Sequence, residues 1–251
     1  MSDLKILIIG FGVVGGNVRC SLAGCNVTIH DPDKGYKADG KYDVCFVCVP
    51  TEKHHDGSCD TKIVEQVVRE WSGRVSMFCI RSTVPPGTTE QLNKIAPCVF
   101  QPEYYGATQH ANAPDYDFAI LGGEIEYTNV IAELYKEVYT ADFRIIKTNS
   151  RTAELTKYME NAWLATKVTF CNEFYRIAKM MGIDYDTLRE CWLEDPRINR
   201  SHTFVYRNHP WYKSHCLDKD IPAIIQAAEK HGYNAKLLKA VDETNEDYKR
   251  G

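Results

Sequence analysis

Residues 4–31 read LKILIIGFGVVGGNVRCSLAGCNVTIHD. Leu4 to Ile9 is a short apolar run rich in β-branched residues, the pattern of a strand buried on both faces. Gly10-Phe11-Gly12-Val13-Val14-Gly15 follows at once. Val14 to Leu22 then suits a helix, and Cys25 to His30 a second strand closed by Asp31. Strand, glycines, helix, strand and acid in this register form the dinucleotide-binding arrangement. Gly10 permits a tight turn, Gly12 lets backbone approach a pyrophosphate, and Gly15 lets helix and strand pack closely. The helix N-terminus supplies N–H groups and positive potential for phosphates. Asp31 can accept hydrogen bonds from an adenosine ribose and would repel a 2′-phosphate, which favours NAD over NADP.

Outward from this unit the alternation continues. Strands are expected at Val44 to Val49, Val75 to Ile80, Pro97 to Gln101, Phe118 to Leu121 and Arg144 to Lys147, with helices at Thr61 to Trp71 and Thr88 to Ile95. That order predicts an α/β fold, a Rossmann-like, mostly parallel sheet with right-handed crossovers. Ligands in such sheets bind beyond the carboxyl ends of the strands. Three strand ends carry polar residues there: Pro50-Thr51, Arg81-Ser82-Thr83, and Pro102-Glu103.

From Arg151 to Met181 the chain reads as one long helix, with Asn149 or Ser150 as cap and Gly182 as stop. At 1.5 Å per residue it spans roughly 45 Å. Leu155, Met159, Ala162, Thr166, Phe170, Phe174, Ile177 and Met181 make one apolar stripe. Glu154, Lys157 and Asn161 share another face, for which the plain expectation is a solvated surface with an i,i+3 ion pair. Beyond it, Asp184 can cap a helix ending near Glu194, Asp220 a helix to His231, and Asn234 can start a last one ending near Tyr248. Residues 195–219 are irregular. The chain therefore divides into a dinucleotide-binding domain, residues 1–150, and a small all-helical domain built on the long helix, residues 151–251.

With 44% hydrophobic and 25% charged residues and a net charge of −4, the composition is that of an ordinary globular protein and points to neither nucleic acid nor a membrane surface. The run Ile6 to Ile9 is far too short to span a bilayer, and a cytoplasmic location is expected. Ten cysteines are scattered without a disulfide spacing. Cys45 and Cys48 lie in an apolar strand, so buried thiols are expected there rather than a redox or zinc pair. No metal role is assigned to His54 and His55. A zinc site from His202, His209, His215 and Cys216 fits no familiar spacing, so no metal is expected. Cys216 differs from the rest: it lies in a polar segment before a helix start, among Lys213, His215 and Lys219, which favour a thiolate, and Asp218 and Asp220, which oppose it. Nucleophile and structural thiol both remain open on these grounds.

The segments GFGVVG, VCVPT, RSTVPPGTT, QPEYYG, AELTKYMENAWLATKVTFCNE, GIDYDTLRE, DPRI, CLDKD and LLKAVDETN occur in this order through the whole chain, and together they resemble the UDP-glucose/GDP-mannose dehydrogenases. The resemblance implies NAD-dependent oxidation of a nucleotide sugar's C6 alcohol to a carboxylate, through a thiohemiacetal and a thioester on Cys216. It implies that Lys157 and Asn161 stabilise oxyanions, that Glu103, Thr83 and Asp220 position water and move protons, and that Lys219 lies near the nicotinamide. Cofactor contacts are expected from Gly10, Phe11, Gly12, Val13, Val14, Gly15, Asp31, Thr51 and Thr83. The family pairs its long helix with that of a second copy, so a homodimer is expected. Departures are visible. Trp211 to His215 stands where a glycine-rich loop usually precedes the cysteine, Asp218 replaces a proline, and a second glutamate after Glu103 is absent. The family's third domain, which closes over the nucleotide, is also missing, and the chain stops at the last helix of the central domain. Two other readings follow from those departures: a one-step hydroxy-acid dehydrogenase with Lys157 as acid/base, or an NAD-binding remnant completed by a partner chain.

Overall fold

A computed structural model describes residues 3–104, 117–214 and 216–250. Two compact units emerge, residues 1–54 with 59–157, and residues 55–58 with 158–251.

The first unit is built on seven strands: β1 (Lys5–Ile9), β2 (Asn26–His30), β3 (Tyr42–Val47), β4 (Val75–Ile80), β5 (Cys98–Phe100), β6 (Phe118–Gly122) and β7 (Arg144–Thr148). They form one sheet in the order β2-β1-β3-β4-β5-β6-β7. All neighbours are parallel except β5 and β6, which meet antiparallel at Phe100 and Gly122. Central strands lie between two apolar layers, as a parallel sheet covered on both faces requires. One layer gathers Leu7, Cys45, Val47, Phe78 and Ile80 with Val64, Val68 and Trp71 of helix α2 (Lys62–Trp71). The other gathers Ile6, Ile8, Phe46 and Cys79 with Val18 of α1 (Val13–Ser21) and Ile131, Ala132 and Tyr135 of α4 (Ile125–Val138). Helix α3 (Thr88–Leu92) is shorter than the expected 88–95. Helix α4 was not foreseen, although its buried Thr128, Ile131, Ala132, Leu134 and Tyr135 follow helical spacing.

Helix α5 (Ser150–Met180) begins in the first unit and runs on through the second. Asn149 caps it by accepting the Thr152 N–H at 2.8 Å. Gly182, at φ +69°, ends it, and the Ile183 N–H turns back to the Ala178 carbonyl at 2.8 Å. The second unit adds α6 (Tyr185–Trp192), capped by Asp184, and α7 (Leu217–Lys230) and α8 (Lys236–Arg250). Ala162 and Ala165 of α5, Leu217, Ile221 and Ile225 of α7, and Val241 of α8 close its core around Tyr212. Asp220 does not cap α7. The helix starts three residues earlier, where the Ser214 hydroxyl accepts the Leu217 N–H at 3.0 Å, and Asp220 falls inside the first turn. No helix among the described residues is long and apolar enough to cross a membrane.

Candidate active site

In the first unit, the turn after β1 has the geometry its glycines require. Gly10 sits at φ +87°, and a Cβ there would lie 2.5 Å from the Cys48 carbonyl oxygen. A Cβ on Gly15 would collide with the carbonyl of Gly10, whereas one on Gly12 would meet no protein atom within 4 Å. Gly10 and Gly15 are thus demanded by the fold itself. Gly12 leaves open space at the head of α1, where the first N–H groups have no intrahelical acceptor and no side chain caps the helix. This is a cradle of the kind a pyrophosphate occupies. Asp31 closes β2 and accepts the Phe11 N–H at 2.8 Å, and Lys34 donates to the Phe11 carbonyl at 2.6 Å. Phe11 also packs its ring edge-on against Tyr36, at 5.3 Å between centroids. The acid expected to face a ribose therefore also fastens the glycine turn. Val13 is exposed and Val14 partly buried at the start of α1.

The strand ends beyond β3, β4 and β5 are held together. Thr51 donates to the Thr83 carbonyl at 2.9 Å, and Ser82 to the Val49 carbonyl at 2.6 Å. Glu103 pairs with Arg81 at 2.5 Å, and both side chains are buried. The Tyr104 N–H binds the other oxygen of Glu103 at 2.8 Å. The Lys157 ammonium lies 5.1 Å from the centre of the Tyr104 ring. Tyr105 and Gly106, which complete QPEYYG, lie outside the described residues.

The face of α5 that carries Glu154, Lys157 and Asn161 is not solvated: these residues are 0%, 8% and 3% exposed. A buried carboxylate needs hydrogen-bond donors, and Glu154 finds them in the Gly87 and Thr89 N–H groups, at 2.6 and 2.7 Å. These donors stand at the start of α3, so Glu154 supplies the cap which Gly87 lacks. Burial nevertheless pushes the Glu154 carboxyl above the usual carboxylate range.

In the second unit, Cys216 is exposed at the position before α7 and is not part of a disulfide. Its carbonyl accepts the Asp220 N–H at 2.9 Å. The Asp220 side chain is buried and accepts from Asn161 Nδ2 at 2.6 Å and from Lys219 Nζ at 2.6 Å. Three of the expected residues, Asn161, Lys219 and Asp220, thus form one hydrogen-bonded cluster in the first turn of the helix that Cys216 introduces. The segment before the thiol is tied to α8: Tyr212 and Asn245 exchange hydrogen bonds at 2.8 and 3.4 Å, and the Tyr212 hydroxyl donates to Asp242 at 2.9 Å. His215 lies outside the described residues, so its expected effect on the thiol has no structural counterpart. Among the described residues no cluster of His, Cys, Asp and Glu could hold a metal ion. Cys45 is fully buried in β3, where its thiol is pushed well up by burial.

Sequence reasoning missed Lys34, named Arg81 only among the polar strand ends, and took Glu154 for part of a solvated face. The one available signal was position: Arg81 directly follows a buried strand, and Glu154 lies one turn before Lys157.

Residues 34–139 match the UDP-glucose/GDP-mannose dehydrogenase family, NAD binding domain, and residues 151–247 match the same family's central domain. A UDP-glucose 6-dehydrogenase of Pseudomonas aeruginosa is 30% identical over 223 residues, which cover 81% of this chain and 48% of that protein. A GDP-mannose 6-dehydrogenase of the same species is 29% identical over 229 residues, 81% of this chain and 50% of that one. The chain spans about half the length of the curated relatives it matches. Among solved structures, a UDP-glucose dehydrogenase from Pyrobaculum islandicum superposes with a TM-score of 0.81 at 24% identity, over 98% of this chain and 68% of that one. This last is a likeness of fold.

Proposed function

The chain belongs to the UDP-glucose/GDP-mannose dehydrogenase family, and from that premise we propose that it oxidises the C6 alcohol of a nucleotide sugar to the carboxylate with NAD. The NAD-binding domain is assigned to residues 1–150 and the helical domain to residues 151–251. Gly10, Phe11, Gly12, Val13, Val14 and Gly15 would hold the pyrophosphate, Asp31 the adenosine ribose, and Thr51, Thr83 and Lys219 the nicotinamide half. NAD, when bound, supplies a hydride acceptor for the C6 carbon.

The chain's own residues then act on the substrate. The Cys216 thiolate adds to the C6 aldehyde, giving a thiohemiacetal, which loses hydride to become a thioester. Lys157 and Asn161 donate to the oxygen that carries negative charge in these species. Glu103, Thr83 and Asp220 orient water and carry protons. Water then adds to the thioester carbonyl, the C–S bond breaks, and the sulfur leaves as thiolate. The observation that carries this reading is the cluster in the first turn of α7. Burying an aspartate with an amide and an ammonium costs desolvation that an apolar trio would not, and the three residues stand beside the one cysteine set at a helix start. The relatives named for UDP-glucose and GDP-mannose support that substrate class. We also infer that two copies pair through the apolar side of α5, and that the ten unoxidised thiols belong in a reducing cytoplasm.

The test offers the protein NAD with UDP-glucose, UDP-N-acetyl sugars and GDP-mannose, and follows NADH. Steady NADH formation with one of them is expected. NADH from none of them, alongside turnover of a small hydroxy acid, would overturn the reading.

A further inference from the structure

Arg81 was expected only as part of a polar strand end, with no role of its own, and it is buried there. Its backbone is fixed by the sheet: the Arg81 N–H donates to the Val47 carbonyl at 2.9 Å, and the Gln101 N–H donates to the Ile80 carbonyl at 3.0 Å. From these two rigid strand ends Arg81 and Glu103 reach each other at 2.5 Å, with 6% and 8% of their side chains exposed. Nearby polar atoms do not compete for the guanidinium. The Gln101 side-chain oxygen is taken by the Tyr135 hydroxyl at 2.6 Å and the Cys79 thiol at 3.6 Å. Arg81 Nε has no hydrogen-bond partner among the described residues, so the guanidinium is aimed at Glu103 at the expense of one of its own donors. A pair buried this deeply adds little net stability over apolar residues of equal size.

We propose that Arg81 is a positioning residue for Glu103, holding its carboxylate as a fixed acceptor for water in thioester hydrolysis. This rests on the thioester chemistry proposed above. Arg81 donates to Oε2 of Glu103 and the Tyr104 N–H to Oε1, which fixes the plane of the carboxylate. The Arg81 guanidinium, just beyond β4, and the Cys48 thiol, just beyond β3, are among the groups near it. On Arg81, burial pulls the pKa down, and Glu103, Tyr135, Cys79 and Cys48 together more than offset it, holding the guanidinium above the usual arginine range. In the step itself Glu103 takes a proton from water while the water oxygen bonds the acyl carbon. The C–S bond then breaks, and its electron pair leaves on the sulfur of Cys216.

The experiment compares the full chain with Arg81→Met and Arg81→Lys, using NAD and the sugar nucleotide that the wild type turns over. NADH binding by fluorescence reports the fold, and intact mass after acid quench reports acyl adduct on Cys216. Arg81→Met is expected to bind NADH like the wild type and to lose about 100-fold in kcat with KM nearly unchanged, as when a proton-transfer group is misplaced. Acyl-enzyme should accumulate. Arg81→Lys should recover about tenfold of that loss, because a point charge replaces the fork without its second donor. If Arg81→Met does not fold, Arg81→Lys alone should still show lowered kcat with visible adduct. Wild-type kcat in Arg81→Met, wild-type kcat without adduct in Arg81→Lys, or a loss in either variant without adduct, overturns the proposal. A wild type that forms neither NADH nor adduct with any sugar nucleotide brings down the functional reading, and this inference with it.

Discussion

On one side of α5 lie Glu154, Lys157 and Asn161, buried; on the other lie Leu155, Met159, Trp163, Phe170, Phe174 and Ile177, exposed, with Met159 and Trp163 at 74% and 61%. At 100° per residue these six apolar residues fall on a single stripe, and the polar three on the opposite side. An ordinary helix buries its apolar stripe and hydrates its polar one. The inversion asks for two separate explanations. Each buried polar group is matched to a specific donor or acceptor: Glu154 to two backbone amides, and Asn161 to Asp220. That matching is the signature of a site and not of a core. The exposed stripe is a surface that water solvates poorly, and its spacing suits a second helix of the same kind.

The polar side breaks most easily at Asp220. Asp220→Ala leaves the partly buried Lys219 ammonium and the buried Asn161 amide without this acceptor, and should destabilise the chain by about 3–5 kcal/mol, measured by urea unfolding. A loss well under ~1 kcal/mol would mean that water already solvates the cluster. The apolar side is sharpened by Trp163→Glu. The wild type should elute as a dimer in size-exclusion chromatography with light scattering, and the variant as a folded monomer. A wild type that stays monomeric at high concentration would leave the stripe without the proposed partner.

A smaller effect tests Glu154. Burial raises its folded-state pKa above the unfolded value of about 4.3. The folded chain therefore holds this proton more tightly, and the group's contribution to stability is greatest at low pH and declines as pH rises through the raised pKa. Glu154→Gln removes that titration. The melting temperature of the wild type minus that of Glu154→Gln should increase as the buffer is taken from neutral toward the carboxylate range. A flat or reversed trend would show that the two amide donors outweigh desolvation.

These contrasts also mark what was legible in the sequence. The glycine turn was readable because its requirements are steric and local: Gly10 and Gly15 are excluded from bearing a Cβ by the backbone of residues 10 and 48. A mostly parallel sheet followed from the alternation of apolar runs, whereas the order of strands within it came only from the structure. The orientation of α5 was not readable from periodicity, which shows that two faces differ but not which one turns inward. Only the family resemblance singled out Lys157 and Asn161. Partners distant in sequence were invisible: Glu154 meets Gly87 across 67 residues, and Asn161 meets Asp220 across 59. Asp220 was misread as a cap because aspartate is a favoured cap residue, and nothing local shows that the helix already begins at Leu217, after Cys216. Helix α4 was missed because Ile125, Tyr127, Thr128, Val130 and Ile131 are also strand formers, so propensity and period disagreed.

The central claim is that the thiol at the head of α7 carries a two-step oxidation. The most direct measurement counts NADH released per nucleotide sugar consumed, for the wild type and for Cys216→Ser. Two NADH per sugar in the wild type, with carboxylate formation lost in the variant, is the predicted result. One NADH per sugar in both proteins would contradict it.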